Sequence, residues 1–194
     1  MMKRMVVVLA LVVCSVTGAK AQMGQTAPKV PAGTIIEPSK SFDALLKIYE
    51  DEMMGAVNAM PADKYNYAPS QAIFKPEQVT KYEGVRTFGQ MVAHVAQANY
   101  YFYSTVGGGK PTVDVKAIGS MTSKDDLVKA LAASFAYGHQ QIAALTAANA
   151  FASVKDDQTK ASMVAFGIAH GFDHYGQLVE YLRMNGIVPP ASQK

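Results

Sequence analysis

Four stretches of this chain carry apolar residues at three- and four-residue intervals, each bounded by proline, glycine or a capping residue, and that period commits it to helices. The first, 41–60, repeats Phe42, Leu45, Leu46, Tyr49, Met53 and Val57, with Ser39 or Ser41 as the expected N-cap and Pro61 as the stop. The second, about 87–106, carries Phe88, Met91, Val92, Val95, Tyr101 and Phe102 and ends at Gly107-Gly108-Gly109. A third starts at Ser123, has Asp125 and Asp126 in its first turn, and carries Leu127, Leu131, Phe135, Ile142 and Leu145 to about Ala148. The fourth spans about 157–185, with Gly186 as its stop and Pro189-Pro190 beyond. No stretch of similar length alternates with period two, so strand content is expected to be negligible. The expectation is an all-α four-helix bundle over residues 41–190, followed by a short tail at 191–194.

The connections refine this picture. Segments 62–86 and 107–122 exceed the ~2–8 residues that an up-and-down bundle needs. A twenty-residue helix is about 30 Å long, and the second linker can reach about 50 Å when extended. Helices two and three are therefore free to run parallel.

The N-terminus reads as a secretory signal. Lys3 and Arg4 precede an apolar run from Met5 to Val13, and Ala19-Lys20-Ala21 has the A-x-A form of a cleavage site. Residues 1–21 are the expected signal peptide, 22–40 a flexible lead-in holding Pro28, Pro31 and Pro38, and the product is periplasmic or secreted. Leu11-Val12-Val13-Cys14 has the Leu and Cys of a lipobox, but valine before the cysteine is the wrong size, so anchoring at Cys14 is the lesser alternative. Neither this run nor a later segment reaches the ~20 apolar residues of a membrane span.

Cleavage changes the chemistry on offer. It removes three of 18 basic residues and none of 15 acidic ones, leaving a mature chain of zero net charge and no electrostatic footprint for nucleic acid. The single cysteine, Cys14, leaves as well. Disulfides, a cysteine nucleophile and cysteine-ligated zinc are thereby excluded, and any thiol must arrive as a substrate.

His170 and His174 lie four residues apart in the fourth helical stretch. Four residues advance about 400°, which aims both imidazoles to one side about 6 Å apart along the axis. A third ligand must come from His94 or His139, the remaining histidines. His94 sits on or beside the apolar stripe of helix two, between Met91 and Val95, and a facing-helix histidine added to an i, i+4 pair makes a three-nitrogen face with open positions. His139, between Phe135 and Ile142, also has a route inward. Gln177 lies three residues past His174 and Asp173 about 100° around the helix from it, the first near the site or tying helices together, the second solvated or supporting a ligand. Gln97 and Tyr101 share the face of His94, and Tyr101 orients substrate or fills the core.

Several metal chemistries are excluded by what is missing. In the peptidase pattern H-E-x-x-H a glutamate follows the first histidine; here Gly171 does. Di-iron bundles need glutamate three residues before histidine, which occurs nowhere in the chain. There is no C-x-x-C-H for haem and no glycine-rich phosphate loop opening a helix.

Four blocks carry a family resemblance: Met60-Pro61-Ala62-Asp63-Lys64-Tyr65-Asn66-Tyr67-Ala68-Pro69, then Arg86-Thr87-Phe88-Gly89-Gln90-Met91-Val92-Ala93-His94, then His170-Gly171-Phe172-Asp173-His174-Tyr175-Gly176-Gln177-Leu178, and Tyr181-Leu182-Arg183-Met184-Asn185-Gly186. Over about Phe42 to Pro190 the chain resembles the DinB/YfiT-like family of bacterial four-helix proteins. The resemblance implies parallel second and third helices and a divalent metal on His94, His170 and His174, zinc or nickel first, with manganese and iron as further candidates. It also implies a metal-dependent hydrolase or a transferase using a low-molecular-weight thiol. The export signal sets this chain apart from cytosolic relatives, which live where such thiols are abundant.

The expected function is an exported protein binding a divalent metal through three histidines, with no catalytic side chain assigned. The alternative is a non-catalytic metal- or ligand-binding bundle, in which His139 would close the coordination. The expected partner is a small molecule, thiols among the candidates, bound by a monomer or a homodimer, with no nucleic acid and no membrane span.

Overall fold

The computed structural model describes residues 30–193 except Phe74, Thr80 and Tyr82. The expected signal peptide, most of the lead-in and Cys14 lie outside the described residues. Of the two units into which the chain divides, Met1–Thr34 and Ile35–Lys194, the second holds every described helix. Its elements are α1 (Pro38–Ala59), α2 (Phe88–Gly107), α3 (Val115–Ile118), α4 (Lys124–Ile142), β1 (Ser153–Lys155), β2 (Gln158–Thr159) and α5 (Lys160–Met184). Single 3₁₀ turns occur at Ala62–Lys64, Gln71–Ile73 and Pro190–Ser192.

Helix packing fixes the topology. Gly89 faces Leu127, Asn99 bonds Ser134, and Gly109 bonds Gln141, so α2 and α4 run parallel. Phe102 meets Phe166 near one end of α5 while Tyr181 bonds the carbonyl of Arg86 near the other, so α2 and α5 are antiparallel. The Tyr49 ring meets Phe135 of α4 edge-on and Phe172 of α5 at a tilt. With α1 packed on α4 and α5, and α2 on the same two helices, α1 and α2 occupy diagonal corners. The bundle therefore runs up, down, down, up, with segment 108–123 as the crossover that the long linker permits.

Side-chain chemistry closes the helix ends. Thr87 and Gln90 form a reciprocal capping box at α2, and Thr159 and Ser162 form another at α5. The α2 donors left over are met by the preceding linker: Phe88 N–H donates to the Tyr67 carbonyl at 2.9 Å and Gly89 N–H to the Tyr65 carbonyl at 2.8 Å. Lys124 donates to the carbonyls of Asn58 and Met60 at 2.8 and 2.7 Å, placing a cation on the C-terminal end of α1. Gly108, at φ 75°, ends α2 in the left-handed region.

Four details differ from the sequence expectation. α1 opens at Pro38, a favoured first helical residue, with no side-chain cap. α4 ends at Ile142, six residues early, because the Asn149 side chain accepts from Thr146 N–H and donates to the Ala144 carbonyl, drawing that backbone into turns. Residues 153–159 form a two-stranded hairpin around Asp156, whose φ is 51°, so α5 starts at Lys160. Leu45 and Tyr101 are 47% and 66% exposed and do not belong to the core.

The core is densest where glycine replaces a side chain. A Cβ on Gly138 would stand 2.7 Å from the Tyr103 ring, one on Gly167 3.1 Å from that ring and 3.0 Å from Phe102 Cβ, and one on Gly171 2.1 Å from Cζ of Tyr49. Tyr49 and Tyr103 are fully buried and lie against helix backbone at these points. Gly176, on the exposed face of the same helix, has nothing within 4 Å of its Cβ position. We expect Gly171→Ala to lower stability by about 1–3 kcal/mol through overpacking, and Gly176→Ala to raise it by up to about 1 kcal/mol. Urea unfolding of both variants measures this; equal effects would show that Tyr49 can yield.

Candidate metal centre

α2 presents His94 and α5 presents His170 and His174 across their antiparallel contact, where one ring nitrogen of each lies within 4.8 Å of the others. His170 Nε2 lies 3.2 Å from His94 Nε2 and 3.1 Å from His174 Nε2. Nitrogen atoms about 2.0–2.1 Å from a tetrahedral ion are separated by about 3.3 Å, so these distances fit donors arranged around one metal. Hydrogen bonding alone fits less well. An imidazole nitrogen is either a donor with one hydrogen or an acceptor with one lone pair, whereas His170 Nε2 faces two other Nε2 atoms at once. Three lone pairs directed at a shared cation satisfy all of them.

The tautomer of His174 is set from behind. Gln177 donates its amide N–H to Asp173 at 3.0 Å, which turns its carbonyl oxygen to His174 Nδ1, 3.4 Å away. That oxygen calls for hydrogen on Nδ1 and leaves the Nε2 lone pair free, the support that metal-binding histidines commonly receive. Phe102 packs on the His170 ring at 5.3 Å between centroids and supplies an apolar wall.

Electrostatics keep the rings neutral. His94 is pushed down to about 4, first by burial, then by the positive Arg86 and the neighbouring histidines. His170 and His174 are also lowered, in both cases mainly by burial; Asp173 opposes the shift at both and Gln177 at His174. The metal-binding form therefore prevails at neutral pH.

An open hollow of about 460 Å³ adjoins His94. Its floor is the α2 face of Gln90, Ala93, His94 and Gln97, and its walls are Gly84, Val85 and Arg86 from the first linker and Gly119 after α3. Gln97 donates to the Val115 carbonyl at 2.9 Å, holding α3 over this face. Both long linkers thus build the approach to His94.

Residues 45–178, well over half of the chain, match the DinB superfamily. The chain belongs to the DinB superfamily. No curated protein shows significant similarity to it. For this DinB protein the structure brings His94, His170 and His174 together, the only such group of three or more potential ligands among the described residues. Gln177 and Asp173 stand behind His174, as their spacing allows. His139 belongs elsewhere: its Nδ1 meets Asp43 at 2.6 Å and its Nε2 meets Glu50 at 3.4 Å, joining α4 to α1. Tyr101 rests on Phe102 and lines a separate hollow with Val154, Lys155 and Met163. Arg86, which opens one of the resemblance blocks, drew no role from the sequence because an arginine just before a helix carries no periodic or spacing signal.

A pH dependence follows for the metal-free protein. Folded-state pKa values below the ordinary 6.5, down to about 4 for His94, mean that the unfolded chain binds protons which the folded one excludes as pH falls below about 6.5. This contribution is fully present above 6.5 and is lost as pH falls toward 4. The melting temperature should drop across that window, and His94→Gln should flatten part of the slope. An unchanged slope in the variant would contradict the burial assigned to His94.

Proposed function

We propose that this DinB protein is exported after cleavage near Ala21 and holds one divalent metal, zinc or nickel first, through His94, His170 and His174. It uses the open coordination positions for hydrolysis or thiol transfer. The observation that carries this reading is the convergence of three Nε2 atoms, at 3.1 and 3.2 Å from the central one, beside an open hollow. Bound there, the ion supplies Lewis acidity and lowers the pKa of a coordinated water or thiol toward neutrality.

The chain's own residues do the rest. Three neutral imidazoles leave the full charge of the cation in place. Gln177, anchored by Asp173, holds His174 in the ligating tautomer. Phe102 shields one side of His170, while the hollow beside His94 admits a small molecule. A sealed four-histidine site lacks support because His139 is engaged by Asp43 and Glu50. That favours turnover over passive metal storage.

Metal analysis of protein purified without a nickel column tests the ligand set. Wild type should carry close to one ion per chain, and His94→Ala, His170→Ala and His174→Ala should each lose it. Gln177→Ala should keep the site with affinity weakened about 10–100-fold. Wild-type protein that neither carries a divalent metal nor takes one up would overturn the proposal.

A further inference from the structure

The hollow beside His94 is lined by one formally charged residue, Arg86. None of the ion pairs among the described residues engages its guanidinium. The side chain is exposed, and none of the residues lining the hollow is acidic. Its backbone, by contrast, is held firmly. Tyr181 of α5 donates its hydroxyl to the Arg86 carbonyl at 3.1 Å, and the next residue, Thr87, enters the capping box of α2. The anchored backbone thus presents an uncompensated cation at the mouth of a cavity that leads to His94.

We propose that the substrate of this site carries a carboxylate, which the Arg86 guanidinium binds in the hollow while the reacting group of the same molecule reaches the three histidines. The inference rests on the metal-site reading above and adds the substrate class to it. An unpaired guanidinium in a concave site is suited to a planar, two-oxygen acceptor, which it grips through two parallel N–H donors. Phosphate fits less well. The first N–H groups of α2, the usual second receptor for a dianion, are already bonded to Tyr67, Tyr65 and Thr87. Local charge balance points the same way: Arg86 lines the hollow beside His94, no acidic residue lines it, and a divalent ion on the histidines would add to its positive charge.

The test uses the full-length mature protein loaded with cobalt(II), with metal content measured first. Mercaptoalkanoates of two to four carbons and their neutral carboxamides are titrated in, and thiolate-to-cobalt absorption reports binding. In the wild type, the best carboxylate should bind about tenfold or more tightly than its amide. Arg86→Gln should remove most of that preference at unchanged cobalt content, and Arg86→Lys should restore only part of it because the two-donor fork is gone. A preference undiminished in Arg86→Gln, or failure of both probes to bind cobalt-loaded wild type, overturns the inference while leaving the metal site standing. Failure to take up cobalt at all defeats the metal-site reading, and this inference with it.

Discussion

Everything in this fold turns on how closely α5 approaches its neighbours, and glycine sets that distance. Gly167 and Gly171 flank His170 on α5, and at both positions an aromatic ring from another helix lies where a side chain would stand. Tyr49 of α1 occupies the place of a Gly171 side chain, while Phe102 and Tyr103 of α2 crowd Gly167. Interiors pack to crystal-like density, so a methyl group at either position would push helices apart. Close approach is also what brings His94 on α2 within reach of two histidines on α5. The residue that excludes the peptidase motif, Gly171, is therefore the one that core packing requires.

The bundle's connectivity serves the same site. Because α2 and α4 run parallel, segment 108–123 must travel back along the bundle, and Gln97 ties its short α3 across the face of α2. The first linker supplies carbonyls that accept from the first N–H groups of α2 and brings Arg86 to the rim. The site is consequently two-sided. Behind it, Asp173, Gln177 and His174 form a polar relay that orients a ligand; in front, the hollow is open and cationic.

Much of this could be read from the chain, for physical reasons that differ by element. The four long helices show because burial imposes a 3.6-residue period on apolar residues, and His170 with His174 shows because one helical turn is a fixed length. The start of the third stretch at Ser123 could be read because helix starts depend on local backbone chemistry, and Ser123 does accept from Asp126 N–H as the N-cap of α4. Leu45 and Tyr101 mislead because hydrophobic residues also occur at the edge of a stripe, where tertiary packing decides exposure. The early end of α4 depends on Asn149, seven residues beyond Ile142, and the hairpin at 153–159 on a left-handed Asp156. His139 looked inward by period, but Asp43 and Glu50, about ninety residues away in sequence, hold it between α1 and α4. Arg86 gains meaning only once the linkers fold over α2.

The central claim is that His94, His170 and His174 coordinate one metal ion and leave part of its coordination open to exchange. X-ray absorption spectroscopy of the zinc-loaded protein reads this directly. The structure predicts three imidazole nitrogens at about 2.0–2.1 Å and a further light-atom ligand that a small thiol replaces with sulfur. A shell with fewer than three imidazoles, or one with four protein ligands that a thiol leaves unchanged, would contradict it.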